Sequence, residues 1–330
     1  MKVRNVRRLG AAVAGCAAVA AAVIPLAPAW AAPATRAVPA ADAAGTQATS
    51  AGAITMVNGA GKTISIPKSV ASGLQGASAG SSGRATGKAA PNRTDKTTST
   101  PGGGVQGDTV LGPDGRVQEY APSSYPWGAI TYLDMGSKGQ CTGFMLSRDV
   151  VVTAGHCVYN GGWATYYRAV PGKNGASEPF GSCTGGIADV WTTYNFIVTG
   201  SADYDYGLIK LTCNIGYSTG WFGWWYNTGE NLVNQYFYVE GFPGDHPAQM
   251  WWDGDYTTQQ SATRLFYWID TAPGESGSPV YHYNSVTPGL CGGWCVTGIH
   301  TNGPFDSPYN SGTRFTPDVM SFINYWISQP

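Results

Sequence analysis

Residues 32–108 contain no Trp, Tyr, Phe or Cys and are rich in Ala, Gly, Ser and Thr. A segment of this composition carries too little apolar surface to form a hydrophobic core by itself. We therefore expect residues 32–109 to be disordered or loosely ordered. They are either a passive linker or, in our preferred interpretation, a segment removed during maturation.

Charged residues are also scarce, at 12% of the 330 residues, and the two signs are unevenly distributed. Residues 110–330 hold 8 Lys+Arg and 17 Asp+Glu, a net charge of −9, whereas residues 32–109 hold 7 basic and 3 acidic residues, a net charge of +4. A strongly acidic domain is poorly suited to nucleic acid or anionic membranes. We expect neither as a partner.

The first 31 residues have the pattern of a secretory signal peptide. Four basic residues lie among the first eight, an apolar run continues to about residue 27, and Ala29-Trp30-Ala31 forms a small-x-small cleavage site. An apolar run that ends in a small-x-small cleavage site favours a cleaved signal peptide over a membrane-spanning helix. The sequence therefore predicts export to the extracellular space.

Aromatic residues and cysteines are concentrated after residue 109, where all 19 Tyr, 11 of the 12 Trp and six of the seven Cys lie. This part is long enough for one all-β domain of two packed barrels. Alternating or aromatic-rich runs predict strands over residues 129–133, 143–146, 150–153, 207–211, 235–242 and 296–301. A helix is predicted near the end, starting at Thr316-Pro317-Asp318.

Three short strings carry the chemistry. Residues 153–157 read Thr-Ala-Gly-His-Cys, residues 274–279 read Gly-Glu-Ser-Gly-Ser-Pro, and Asp205 leads into an apolar strand. A serine hydroxyl is a weak nucleophile without a base, so Ser276 is the candidate nucleophile and His156 the candidate base. We expect His246 and His282, which lack such context, at the surface.

An acid is needed to orient the imidazole and to stabilise its charged form. Asp205 lies directly before the strand, while Asp203 lies two residues further out. The backbone N–H groups of Gly274 and Ser276 would form the oxyanion hole. The chain order His, Asp, Ser resembles that of the chymotrypsin-like serine endopeptidases. In that family the acid directly precedes an apolar strand, so the resemblance favours Asp205 over Asp203.

Further strings resemble the bacterial glutamyl endopeptidases: Asp270-Thr271 and residues 241–245, 277–280, 299–303 and 309–314. The resemblance implies a chymotrypsin-like double β-barrel with a C-terminal helix. It also implies substrate-binding roles for Thr271, His300 and the adjacent Thr301. Val110 would lie at the start of the mature chain, where the N-terminus helps to bind the substrate, so residues 32–109 would be a propeptide.

Six cysteines in an exported chain suggest three disulfides, and the sequence alone leaves their connectivity open. The resemblance implies that Cys141 pairs with Cys157. A bond between Cys291 and Cys295 would close a small loop. Cys183 would then pair with Cys213. Scattered cysteines in an oxidising compartment argue against a zinc site. We expect no metal, no cofactor and a monomer that acts on proteins or peptides.

Three alternatives remain open. Asp270 lies near the position of a specificity-pocket acid, which would give trypsin-like cleavage after basic residues. Glu275 precedes the nucleophile, where an acid could bind a newly formed N-terminal amine, so the partner of that amine is undecided. A non-catalytic binding domain on a protease scaffold is the third alternative, although all three triad residues are present.

Overall fold

The computed structural model describes residues 52–67, 110–226, 229–284, 291, 293–304 and 307–330. The predicted signal peptide and most of the predicted propeptide, including Thr109, lie outside this range. The described residues form two β-sheets, antiparallel except for the parallel pairing of the edge strand Gly223–Trp224 with its neighbour, and a few short helices. These helices are α1 (Gly155–Val158), α2 (Tyr194–Thr199), α3 (Gly216–Thr219) and α4 (Pro317–Ile327).

The first sheet contains strands β1 (Ala53–Asn58), β2 (Thr63–Pro67), β4 (Ile130–Asp134), β5 (Gln140–Met145), β6 (Val150–Thr153), β7 (Tyr166–Pro171), β8 (Cys183–Gly186), β9 (Val190–Thr193) and β10 (Gly207–Lys210). Their order is β2–β1–β9–β10–β6–β5–β4–β7–β8. Strand β6 lies inside this sheet, and all four of its residues are buried. Its end therefore gives a rigid base for the His156 segment that follows.

The second sheet contains β3 (Val117–Gln118), β11 (Gly223–Trp224), β12 (Tyr236–Gly241), β13 (Trp251–Gln260), β14 (Arg264–Tyr267), β15 (Pro279–Asn284), β16 (Gly293–Asn302) and β17 (Asn310–Arg314). The order is β11–β16–β15–β12–β13–β14–β17, with β3 paired to β13. Because β17 also pairs with β16, the six strands from β16 to β17 close into a barrel.

Aromatic side chains join the two sheets in a common core. Phe222 makes edge-on contacts with Phe144 of the first sheet and Tyr281 of the second, at ring-centroid distances of 6.2 and 5.3 Å. Such contacts add to the free energy gained by burying the rings. The core therefore fixes the position of the site residues carried by the two sheets.

The C-terminal helix α4 begins where the sequence predicts. Thr316 caps it by accepting a hydrogen bond from the N–H of Val319, and Pro317 occupies the first turn. Both features are favoured at helix starts. The helix packs Phe322 against Tyr206 and Trp326 against Trp191. Among the described residues, no helix is long and apolar enough to cross a membrane.

The structure differs from the sequence expectation in residues 53–67. Strands β1 and β2 form an ordered hairpin that pairs with β9, instead of a loosely ordered segment. Ile54, Met56 and Ile66 are buried in it. The hairpin has too few apolar residues for a core of its own, but it adds them to the core of residues 110–330.

Candidate active site

His156 lies on the short helix α1, directly after strand β6. Its Nδ1 atom is 2.8 Å from Oδ2 of Asp205, and its backbone N–H donates to Oδ1 of the same carboxylate at 2.9 Å. Burial acts to lower the pKa of His156, but the charge and hydrogen bond of Asp205 raise it above its ordinary value. This contact also leaves Nε2 as the nitrogen available for proton transfer.

Of the two aspartates that the sequence offered, Asp205 contacts His156. It is buried, and its backbone carbonyl accepts a hydrogen bond from the Thr313 hydroxyl at 3.0 Å. Asp203 is exposed and accepts instead from the hydroxyl of Thr263 at 2.6 Å. The two residues are separated by one position, yet they face different neighbours because the chain turns through Ala202–Tyr204.

Ser276 lies in a tight loop that packs against the strands before His156. Its backbone carbonyl accepts from the N–H of Thr142 at 2.8 Å and lies 3.6 Å from the Sγ atom of Cys157. The next residue, Gly277, donates its N–H to the carbonyl of His300 at 2.7 Å. The loop is therefore held between the His156 segment and strand β16.

Two glycines in this loop adopt a backbone that favours glycine. Gly274 has φ +104° and Gly277 has φ +90°. A Cβ atom on Gly277 would lie 2.0 Å from the carbonyl oxygen of Thr142, and one on Gly274 would lie 2.8 Å from that of Phe242. Neither position has room for a side chain, so both residues are required by the shape of the loop.

The N–H groups of the loop divide into two sets. Those of Glu275, Gly277 and Ser278 donate to backbone carbonyls. Within the part of the chain that the structure describes, those of Gly274 and Ser276 have no acceptor. Buried or half-buried N–H groups are nearly always paired, so two unpaired donors, one on the serine itself and one two residues before it, are suited to bind an oxyanion.

His300 and Thr271, the predicted contacts for substrate, are both buried. The Nδ1 atom of His300 lies 2.9 Å from the hydroxyl of Tyr267. Burial, together with the nearby His156, lowers the pKa of His300 to about 3, so its ring is neutral near pH 7. The hydroxyl of Thr271 is buried without a partner among the described residues.

The other two residues predicted to bind substrate are Thr301 and Val110. Thr301 follows His300 on β16 and donates its hydroxyl to Oδ1 of Asn302 at 2.9 Å. Val110 is half-buried, and the next residue, Leu111, donates its N–H to Asp270 at 2.7 Å. The described chain after residue 109 thus begins next to the residue that precedes Thr271.

Asp270 does not present a free carboxylate to a substrate. Its two oxygens accept the N–H groups of Leu111 and Gly115, each at 2.7 Å, and the residue is buried. Burial raises the pKa of Asp270 to about 6, although these hydrogen bonds act to lower it. The carboxylate anchors the 111–115 turn, which argues against the trypsin-like alternative.

Glu275 is buried and has partners that the sequence did not indicate. Its Oε2 atom accepts the N–H of Ala272 at 2.7 Å and lies 3.9 Å from the guanidinium group of Arg116. Burial raises the pKa of Glu275 well above its usual range, while Ala272 and Arg116 act to lower it. Arg116 and Tyr267 were not recognised in the sequence because no motif surrounds either residue.

The structure contains three disulfides: Cys141–Cys157, Cys183–Cys213 and Cys291–Cys295. The first ties strand β5 to α1 and so holds the His156 segment. It also brings its two sulfurs close to the His156 ring, a grouping that could suggest a metal site. Sulfurs joined in a disulfide supply no thiolate ligands, so this grouping is not a zinc site.

The remaining histidines are less exposed than expected. His282 is half-buried, with its ring 5.7 Å from Trp225 and 5.1 Å from Phe237, and burial lowers its pKa to about 4. His246 stacks on Trp251 at 3.9 Å. Both histidines are half-buried rather than fully exposed, because aromatic side chains that are not adjacent in sequence pack against them.

Comparison with known proteins places this geometry in a family. Residues 115–327 match the Trypsin family. The chain therefore belongs to the trypsin family; it has the all-β chymotrypsin-like fold and is a serine endopeptidase. Within that family it belongs with the bacterial glutamyl endopeptidases, as one curated relative and one solved structure indicate.

The glutamyl endopeptidase of Bacillus licheniformis is 38% identical over 227 residues, covering 66% of this chain and 69% of that protein. A Bacillus subtilis protein named extracellular metalloprotease is 37% identical over 233 residues, covering 68% and 72%. A solved structure of a Glu endopeptidase in complex with MPD matches with a TM-score of 0.59 and 28% identity, covering 67% of this chain and all of that one.

Proposed function

We propose that this chain is a secreted endopeptidase that cleaves after glutamate with a triad of His156, Asp205 and Ser276. The observation that carries the proposal is the bonded His156–Asp205 pair beside the Ser276 loop. The unpaired N–H groups of Gly274 and Ser276 support it. A non-catalytic binding domain would have no need for these features together.

In the proposed mechanism, Nε2 of His156 takes the proton of the Ser276 hydroxyl as Oγ attacks the substrate carbonyl carbon. The Gly274 and Ser276 N–H groups bind the resulting oxyanion, and Asp205 stabilises the imidazolium. His156 then gives its proton to the leaving amine. Water, activated by the same base, hydrolyses the acyl-enzyme and releases the new carboxyl terminus.

The triad is tested by labelling and by turnover. The processed enzyme should react with a fluorophosphonate probe at Ser276 and hydrolyse peptides, whereas Ser276→Ala should do neither while keeping its circular dichroism spectrum. Peptide hydrolysis by a well-folded Ser276→Ala variant would refute the assignment.

The glutamate preference is supported by neutral donors in an acidic domain. A net charge of −9 repels an acidic side chain unless local hydrogen-bond donors offset it. The neutral ring of His300 and the unpartnered hydroxyl of Thr271 are such donors, with Thr301 and Val110 completing the proposed subsite. Asp270 is engaged with backbone N–H groups, which disfavours cleavage after Lys or Arg.

A library of peptides that differ in the residue before the scissile bond tests this preference. Glu should be preferred over Asp, Gln, Lys and Phe. His300→Ala should reduce the Glu-to-Gln ratio of kcat/KM more than it reduces cleavage of the Gln peptide. Preferred cleavage after Lys or Arg would reject the hypothesis and favour Asp270 as the specificity residue.

The name metalloprotease of the Bacillus subtilis relative is not carried over to this chain. The candidate ligand cluster nearest to the site is Cys141, Cys157 and His156. Its sulfurs form a disulfide, and Nδ1 of His156 is bonded to Asp205. The donor atoms that a metal would need are therefore already used, whereas the serine chemistry uses Nε2.

We further propose that residues 1–31 direct secretion and that residues 32–109 are a propeptide. Cleavage on the N-terminal side of Thr109 or Val110 would separate it from the protease domain. The new α-amine would form close to Asp270, which binds the N–H of Leu111. Unprocessed chain without its signal should be at least about tenfold less active than material starting at either residue. Equal activity of the two forms would reject the idea that the unprocessed chain is a zymogen.

A further inference from the structure

The hairpin of residues 53–67 extends the first sheet in a defined register. Met56 pairs with Thr193, Val57 with Thr192 and Asn58 with Trp191. Without it, strand β9 would be an edge strand with unpaired backbone groups. The hairpin thus acts as an added pair of strands, in the manner of β-augmentation.

The face that the hairpin turns to the domain is apolar and closely fitted. Ile54 and Met56 of β1 are buried, and they alternate with the partly exposed Thr55 and Val57. Gly59 fits so closely against Ile187 that a Cβ atom would lie 2.1 Å from that side chain. This complementarity indicates a specific interface, because a passive linker needs none.

Polar contacts fix the end of the hairpin. The buried Asn58 side chain donates from Nδ2 to the carbonyl of Ala188 at 2.7 Å and accepts the N–H of Lys62 at 2.8 Å. The Nζ atom of Lys62 lies 6.0 Å from the centre of the Trp191 ring. Trp191 in turn packs on Trp326 of helix α4.

The elements against which the hairpin packs are not those that carry His156, Asp205 and Ser276. The hairpin contacts β9, α2 and α4. Within the described part of the chain, the hydrogen bonds of His156, Asp205 and Ser276 are made with other segments. Occupancy of this interface therefore does not require a blocked active site.

We propose that the 53–67 hairpin remains bound to residues 110–330 after the chain is cut, as a non-covalent two-stranded subunit that stabilises the enzyme. Only the natural cut before Val110 rests on the proposed function. The interface itself does not depend on glutamate preference or on catalysis. The occupant of the β9 edge is thus the enzyme's own propeptide.

The test uses the folded chain lacking its signal peptide, in a Ser276→Ala background that prevents self-digestion. A recognition sequence for a site-specific protease is inserted between residues 70 and 107, and the folded protein is cut there. Gel filtration and mass spectrometry then show whether the fragment containing residues 52–67 elutes with the domain. We expect it to co-elute in a one-to-one ratio.

Two matched substitutions probe the interface. Met56→Asp places a charge on the buried face and should reduce the retained fraction at least about tenfold. Thr55→Asp places the same charge on the outer face and should leave retention unchanged. In the uncut chain, Met56→Asp should lower the Tm by about 5 °C or more relative to Thr55→Asp.

Separate elution of the unsubstituted fragment at micromolar concentration would overturn the proposal, as would equal retention of both variants. Failure of the proposed function would instead appear as absent glutamyl cleavage, or as no processing near Val110. Neither of those results alters the elution profile, so the two failures are distinguishable.

Discussion

The guanidinium group of Arg116 lies 3.9 Å from the carboxylate of Glu275, the residue immediately before Ser276. The Arg116 side chain is 2% exposed and also binds the half-exposed Asp114 and Asp245. A cation from the domain's own fold thus lies beside the buried acid of the nucleophile loop and acts to lower the pKa that burial raises. Glu275 therefore has a nearby cation that belongs to the folded domain and is not a new N-terminal amine.

Replacing Arg116 with Met should therefore destabilise the enzyme. Its removal takes the hydrogen-bond donors from Asp114 and Asp245 and the nearby cation from the buried Glu275, at a cost of about 3 kcal/mol. Urea unfolding in the Ser276→Ala background measures this cost. The double variant Arg116→Met/Glu275→Gln should recover part of it, and additive effects of the two substitutions would show that the pair is not coupled.

The Ser276 loop should be intolerant of side chains at Gly277. Gly277→Ala combines a positive φ with a Cβ atom 2.0 Å from a backbone oxygen, so we expect a loss of at least about 4 kcal/mol or failure to fold. Gly186→Ala is the matched control. A Cβ atom on Gly186 would lie 3.6 Å from its nearest neighbour, and the φ angle of Gly186 is not positive. We expect Gly277→Ala to unfold at a clearly lower temperature than Gly186→Ala.

Local sequence predicts the parts of this molecule that depend on local pattern. The predicted strand at 150–153 matches β6, that at 207–211 matches β10 to within one residue, and the capped helix begins at Pro317. Motif context also selects Asp205, which the structure places at His156. Each of these features is encoded by neighbouring residues.

Long-range partners could not be predicted in this way. Arg116 and Glu275 are brought together by the fold, and so are Tyr267 and His300. The hairpin was missed for a related reason: residues 53–67 have an apolar alternation, but the surface that makes it stable belongs to β9. Composition alone describes what a segment can bury within itself, not what it can bury elsewhere.

The two neighbouring aspartates should differ strongly in their effect on turnover. Asp205→Asn removes the carboxylate that orients His156, and kcat should fall by about 10⁴. Asp203→Asn changes only a surface contact with Thr263 and should retain nearly full activity. Steady-state kinetics on one peptide substrate compare them, and comparable losses would contradict the assignment of Asp205.

Activity should fall on the acid side with the titration of His156. The base must be neutral to accept the Ser276 proton, so kcat/KM decreases as the pH drops through the pKa of His156. Since Asp205 raises that pKa, the midpoint should lie above the ordinary histidine value of about 6.5. The pKa of His300 is about 3, so its titration should cause no change in kcat/KM between pH 5 and 9.

Tyr267 should act on specificity by positioning His300. Its hydroxyl lies 2.9 Å from Nδ1 of the neutral ring, and when it donates to that nitrogen, the imidazole proton is held on Nε2. Tyr267→Phe removes this control without changing the ring volume. For a Glu peptide we expect KM to rise about tenfold, while kcat changes by less than about twofold. For the matched Gln peptide we expect little change in either KM or kcat. Parallel losses for both peptides would indicate a general structural role for Tyr267 and contradict the positioning role.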